Sequence, residues 1–363
     1  MFFSIIYGGN LVYVIKILIY FFATLGFAAF MFQMPRENLL RGLFWGTLAG
    51  TSVFFIVSWI TLAQRGVDMF QTIYDALRTG NANLLQFKIF LNLFNEDVSS
   101  ADKVGAALRH TTMGFMFVSL LTGIYFVSEH GRRLAWLTIM LALAALLLSV
   151  SRSQLIAVGL ACFPIIVSRA RASGGFLFLI AVLAYVSAFF LIFIADSSGL
   201  MNIIDERFSG FGEDGRIPMF EAAMSEINKR PIFGYGAGAE VAYGGRAAIA
   251  VHNLILAAWH QAGLLGVVSS LAFTISLLAV YCSTLISARG NVGLLAVAGL
   301  LVLPIFRSQV SGGGNYTLPE WFAIAVAFVL LHRHRSELTS GIKKSYGSVD
   351  LSGAPRRDFF ARS

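Results

Sequence analysis

The sequence predicts an all-α fold, a polytopic integral membrane helical bundle of about nine transmembrane helices with one large outward-facing loop that contains a surface amphipathic helix. Three observations predict it. Of 363 residues, 57% are hydrophobic and only 13% charged, and the mean hydropathy of +0.75 lies well above that of a soluble domain. Apolar runs of about 18 residues or more recur along the chain, each long enough to cross roughly 30 Å of hydrocarbon. The charged residues collect between those runs, so the bilayer is the solvent against which this chain folds.

The first apolar run covers 11–32. The N-terminus from Met1 to Phe32 is too long for a cleaved signal peptide and has no small-residue cleavage ending, so the run reads as a retained span. Lys16 is its one clear mid-span charge. Further spans are expected at 42–63, 111–129, 134–150, 154–168, 175–195, 262–287, 292–306 and 321–332, the last being short. No internal repeat and no separate soluble core interrupts them. Residues 1–335 therefore read as one transmembrane domain, and the polar, Ser- and Gly-containing stretch 336–363 as a disordered basic cytoplasmic tail.

Orientation follows from the connectors, because Lys and Arg close to span ends favour the cytoplasm. Every second connector is short and basic: Pro35-Arg36-Glu37 through Arg41, His130-Gly131-Arg132-Arg133, Arg169-Ala170-Arg171, Ser287-Ala288-Arg289, and His332-Arg333-His334-Arg335. The alternate connectors, Gln64 to His110, Ser151 to Gln154, Asp196 to Val251 and Arg307 to Glu320, would face outward. The outward loops also carry bases, including Arg65, Arg78 and Lys88, partly balanced by Asp68, Asp75 and Glu96. An odd number of spans places the N-terminus outside, which an additional upstream helix would explain. The formal charge of +8 thus reads as a topology signal rather than a nucleic-acid surface. Cys162 and Cys282 sit inside apolar runs and behave as small hydrophobes.

Three outward features carry the chemistry. Ser151-Arg152-Ser153-Gln154 separates two strongly apolar stretches; Arg152 must snorkel to the interface or line a polar cavity, either as part of a plain turn or as an anion site. The loop 196–251 leads through Gly215-Arg216-Ile217-Pro218 into a helical stretch with Met219, Ala222, Ala223, Met224 and Ile227 on or near one face. Pro218 suits a first helical turn, and Arg216 stands at the start of what reads as an amphipathic surface helix.

The third feature runs Arg230-Pro231-Ile232-Phe233-Gly234-Tyr235-Gly236-Ala237-Gly238, then His252-Asn253, then Gly263-Leu264-Leu265-Gly266. The glycines permit positive φ and close backbone approach, but no strand-helix-strand unit makes them a dinucleotide loop. Asn253 stands where a helix N-cap belongs. His252 lies beside the positive helix end, which favours the neutral imidazole that a general base requires. His260 is either a second polar group of that site or a packing residue. Two histidines without a third ligand do not make a zinc site, and no Asp-x-Asp metal motif is present.

Taken in order, Ser151-Arg152, Gly215-Arg216, Pro231-x-x-Gly234-x-Gly236, His252-Asn253 and Gly263-x-x-Gly266 resemble the O-antigen ligase and O-antigen polymerase family over about residues 147–271. The resemblance implies a glycosyltransferase that moves a glycan from a polyprenyl, typically undecaprenyl, diphosphate carrier to an acceptor hydroxyl at the periplasmic face of a bacterial inner membrane. It implies no metal and no cofactor. Carried over by motif, Arg152 and Arg216 contact the diphosphate and His252 assists the acceptor. Asn253, Gly234, Gly236 and Glu240 are the expected substrate-binding residues, with Glu240 the fallback base. Membrane lipids and other polysaccharide assembly proteins are the remaining expected partners, and nucleic acid is not one. Polymerisation of exopolysaccharide or O-antigen repeats is the favoured reading, with a ligase acting on lipid A core or another acceptor as the alternative. A transporter or flippase is the alternative from another class, disfavoured because the ionisable groups gather in one asymmetric loop instead of symmetric broken helices.

Overall fold

The computed structural model describes residues 11–79, 103–148, 152–171, 216–242, 251–288, 290–307, 309 and 317–347. Among them the chain forms ten α-helices and one π-turn, with no β-strand. In order these are α1 (Leu11–Gln33), α2 (Arg36–Gln64), α3 (Met69–Thr79), α4 (Lys103–His130), α5 (Ala135–Leu148), α6 (Arg152–Arg171), α7 (Arg216–Lys229), α8 (Leu254–Ala288), α9 (Val292–Gly299), the π-turn Leu303–Arg307 and α10 (Leu318–Gly347).

Burial follows composition. In α9 every residue from Leu295 to Gly299 is buried, as an all-apolar helix must be, and it packs against α4, α6, α8 and α10. Its Gly299 brings the backbone close to Leu121 of α4 and Ala161 of α6. Helix α4 fills the centre with Met113, Phe117, Leu121 and Phe126, all fully buried, and packs on α2 and α5. By contrast α1, which packs mainly on α10, exposes Ile19, Phe22 and Phe30, and α8 exposes Leu265, Val268 and Ile275. In lipid such surfaces carry no penalty.

Four helices are long and apolar enough to cross a membrane: Val14–Gln33, Arg36–Gln64, Thr111–His130 and Leu254–Ala288; shorter apolar helices cover Ala135–Leu147, Ser153–Ser168 and Val292–Phe306. The expected span at 175–195 lies outside the described residues, as do residues 196–215 and 243–250 of the loop 196–251. Several elements differ from the sequence expectation. The connector 64–110 contains α3, whose Asp68 side chain accepts from the Gln71 amide at 3.0 Å, an N-cap that starts a short amphipathic helix. The expected span 292–306 is a short helix that passes through a turn into a π-turn, interrupted around Pro304, which lacks an N–H for a continuous helix. Helix α10 begins where Thr317 donates from its amide and hydroxyl to the buried Glu320 carboxylate, a capping box. It then runs to Gly347, beyond the Arg335 boundary and into the stretch expected to be disordered, because each further residue adds a bond to an existing helix.

The helix ends sort onto two faces. Ser168 Oγ at the end of α6 donates to the Gly290 carbonyl at 3.1 Å. Arg333 donates from Nη2 to the carbonyls of Met31 at 2.8 Å and Phe32 at 3.4 Å, at the end of α1. The Arg132 guanidinium lies 4.6 Å from the Phe44 ring centroid, and Arg36, Glu129, Leu294 and Arg333 line one cavity. One face of the bundle therefore gathers the short basic connectors and is called the basic face below. The starts of α6 and α8 and the π-turn lie at the opposite ends of their helices.

Candidate functional site

Helix α7 begins at Arg216, with Pro218 in its first turn. Met219, Ala223 and Ile227, spaced at four residues, are its buried stripe. A small core of Ala223, Val241, Val251 and Ala257, with Phe220 and Leu256 packed on it, holds α7 against the first turns of α8. The expected surface helix is thus an amphipathic helix docked on the start of another.

That second helix is broken. At Gly263 φ is 62° and ψ −146°, so the helical ladder opens and the carbonyls ahead of the break lose their partners. The loop after α7 supplies new ones: Tyr235 N donates to His260 O at 2.8 Å and Gly236 N to Gln261 O at 2.9 Å, while Leu264 N donates to Ile232 O at 3.0 Å. The approach is so close that a Cβ on Gly234 would stand 2.7 Å from the backbone of His260, Gln261 and Gly263, and one on Gly263 would collide with the Ile232 carbonyl. Gly266 meets the Ala258 carbonyl in the same way. The Pro-x-x-Gly-x-Gly and Gly-x-x-Gly segments are therefore two halves of one backbone clasp, which Trp259 reinforces by donating from Nε1 to Pro231 O at 3.1 Å.

His260 sits beneath the clasp, 1% exposed. Its Nε2 lies 2.6 Å from Glu226 Oε2 of α7, and its ring stacks on Tyr235 with centroids 5.0 Å apart. The Tyr235 hydroxyl donates to the Glu226 carbonyl at 3.2 Å, and the Arg230 guanidinium lies 5.0 Å from the Tyr235 ring centroid. His260 is thus a packing residue that also makes a polar tie between α7 and α8. Nδ1 has no hydrogen-bond partner among the described residues. A carboxylate oxygen only accepts, so the short contact places a hydrogen on Nε2 that His260 donates to Glu226.

Asn253 caps α8: its Oδ1 accepts from Leu256 N at 2.9 Å. Its Nδ2 donates to the Gln309 carbonyl at 3.1 Å, tethering the cap to the segment just past the π-turn. The π-turn also packs on α6, whose first residue is Arg152 and whose Gln154 is fully buried. The start of α6 and the His252-Asn253 start of α8 are thereby brought together around Leu303–Arg307, a place where π-turns often mark function. Sequence reasoning missed this bridge; Pro304 inside an apolar run was the signal for it. Glu240 is exposed on the loop beyond the clasp, whereas Gly234 and Gly236 are buried with φ of 69° and 100°. Gly215 and Ser151 lie outside the described residues. Among the described residues no group of three or more His, Cys, Asp or Glu is placed to hold a metal.

Apolar helices around a polar clasp define a helical multi-pass membrane protein. Residues 137–271 match the family model described as O-antigen ligase. The matched stretch runs from within α5 through the break in α8. No curated protein matches the chain.

Proposed function

We propose that the protein is a metal-independent membrane glycosyltransferase that polymerises glycan repeats, taking them from a polyprenyl diphosphate carrier. The observation that supports this reading best is the clasp within the stretch that matches the O-antigen ligase model. It ties the helix that starts at Arg216 to the helix capped by Asn253, next to His252, and the segment of the π-turn and Gln309 links the latter to the helix that starts at Arg152. The site faces the periplasm, the basic face the cytoplasm, and α7 lies along the membrane surface within a bundle of about nine spans.

In the transfer, an acceptor hydroxyl of a second lipid-linked repeat attacks the anomeric carbon. A new C–O bond forms, the bond to the diphosphate breaks, and the electron pair leaves with the phosphate oxygen. Arg152 and Arg216 neutralise that charge, bidentately and without changing protonation. His252 takes the hydroxyl proton, a contribution of typically 10²- to 10⁴-fold, with Glu240 as the fallback base. Direct attack opposite the diphosphate inverts the anomeric configuration.

The test is glycan chain-length analysis in cells lacking the gene, complemented with wild type, His252→Ala or Arg216→Lys at matched membrane levels. Long polymer with wild type and single lipid-linked repeats with His252→Ala support the proposal. Loss with Arg216→Lys, despite retained charge, supports bidentate phosphate contact. Polymer that forms in the deletion strain but never reaches its final acceptor makes the protein a ligase, and full complementation by His252→Ala removes the base assignment.

A further inference from the structure

On the basic face, on the far side of the bundle from the clasp, a cavity of about 160 Å³ opens between the start of α2, the end of α4, the start of α9 and the middle of α10. It takes no part in the proposed transfer. Its polar lining is Arg36, Glu129, Arg333 and His334, and its apolar wall includes Leu40, Leu294 and Leu330. Arg333 is anchored rather than loose, because the Met31 and Phe32 carbonyls hold Nη2. Arg36 opens α2, whose N-terminus has no side-chain cap, so the positive end of that helix adds to the guanidinium charge. Glu129 lies across Gly293 at the start of α9, where any Cβ would strike its carboxylate. Two guanidinium groups and a carboxylate thus line one small cleft with an aliphatic wall on the basic face.

We propose that this cavity binds the headgroup of a membrane phospholipid of phosphoethanolamine chemistry, with its phosphate toward Arg36 and Arg333 and its ammonium toward Glu129. The aliphatic wall suits the glycerol and first acyl carbons, which a free phosphate lacks. The carboxylate suits a headgroup with its own cation and opposes one that is only anionic. Arg36 gives the phosphate a bidentate partner, while Arg333, whose Nη2 is held by the Met31, Phe32 and Met34 carbonyls, adds its remaining N–H groups and its charge. This inference needs only that the chain is embedded in a membrane, so it stands or falls apart from the transferase reading.

The test is the thermal unfolding midpoint of the full-length, delipidated protein in detergent, titrated with dioctanoyl phosphatidylethanolamine, dioctanoyl phosphatidylglycerol or inorganic phosphate. Phosphatidylethanolamine is expected to raise the midpoint of wild type most. Arg36→Gln is expected to weaken that response about tenfold in apparent affinity, one charge-assisted contact. Glu129→Gln is expected to remove the preference over phosphatidylglycerol. Both positions are exposed, so the variants should fold, and an unliganded midpoint equal to wild type checks that they do. Equal response of wild type and Arg36→Gln overturns the site. Equal response to phosphatidylglycerol overturns the headgroup, and equal response to inorganic phosphate overturns a lipid occupant.

Discussion

Gly263 occupies left-handed backbone with the Ile232 carbonyl where a side chain would begin. Gly263→Ala is therefore expected to cost more than about 2 kcal/mol, through strain and displacement of the loop, and the measurement is chemical unfolding in detergent. A loss below about 0.5 kcal/mol, the usual surface background, would show that the loop yields freely. The His260–Glu226 pair gives a second prediction at this scale. His260→Ala, Glu226→Ala and the double variant should form a cycle with a coupling of roughly 1–2 kcal/mol; strictly additive losses would mean that the pair ties nothing. The sequence shows where glycine is needed and shows Asn253 as a cap, because both depend on local backbone. It does not show His260 against Glu226, 34 residues apart, since that pairing exists only once α7 has docked.

At the scale of elements, Asn253 does two jobs that substitution can separate. Serine retains a capping oxygen but is too short to reach the Gln309 carbonyl. Asn253→Ser should therefore stay within about 0.5 kcal/mol of wild type in helix stability, while alanine loses about 1 kcal/mol. Both variants should free the backbone around Gln309, which limited proteolysis reads directly. Four long spans are legible because hydrophobicity over a long window outweighs any single residue: the first expected span, 11–32, becomes Leu11–Gln33. The expected span start at 262 falls beside the break at Gly263, but the helical stretch ahead of the break merges with it. The π-turn and α3 were not legible as such, one because an apolar run hides a change in ladder, the other because a single amphipathic turn or two is lost in a long polar connector.

For the whole molecule, the two-faced arrangement makes a prediction independent of chemistry. Single cysteines placed at Gly131 or Gly290, in a background with Cys162 and Cys282 replaced by alanine, should react with an impermeant thiol reagent from one side of the membrane. Cysteines at Gly66 or Glu240 should react from the other. Reaction of Gly131 and Gly290 from the cytoplasm supports the proposed orientation, and the reverse pattern would invert it. Labelling of all four from one side would contradict the bundle itself.

The clasp also sets how fast backbone protons trade with solvent. Loops between helices ordinarily exchange their amide protons quickly, yet the amides of Tyr235, Gly236 and Leu264 are each bound to a carbonyl across the break. They should exchange as slowly as amides inside a helix, and they should be released together, because opening one requires the Pro231–Gly236 loop to lift from α8. A short run of slowly exchanging amides within otherwise fast-exchanging loop would thus report, in a single deuterium-uptake curve, whether the loop leaving the end of α7 is locked onto the break in α8.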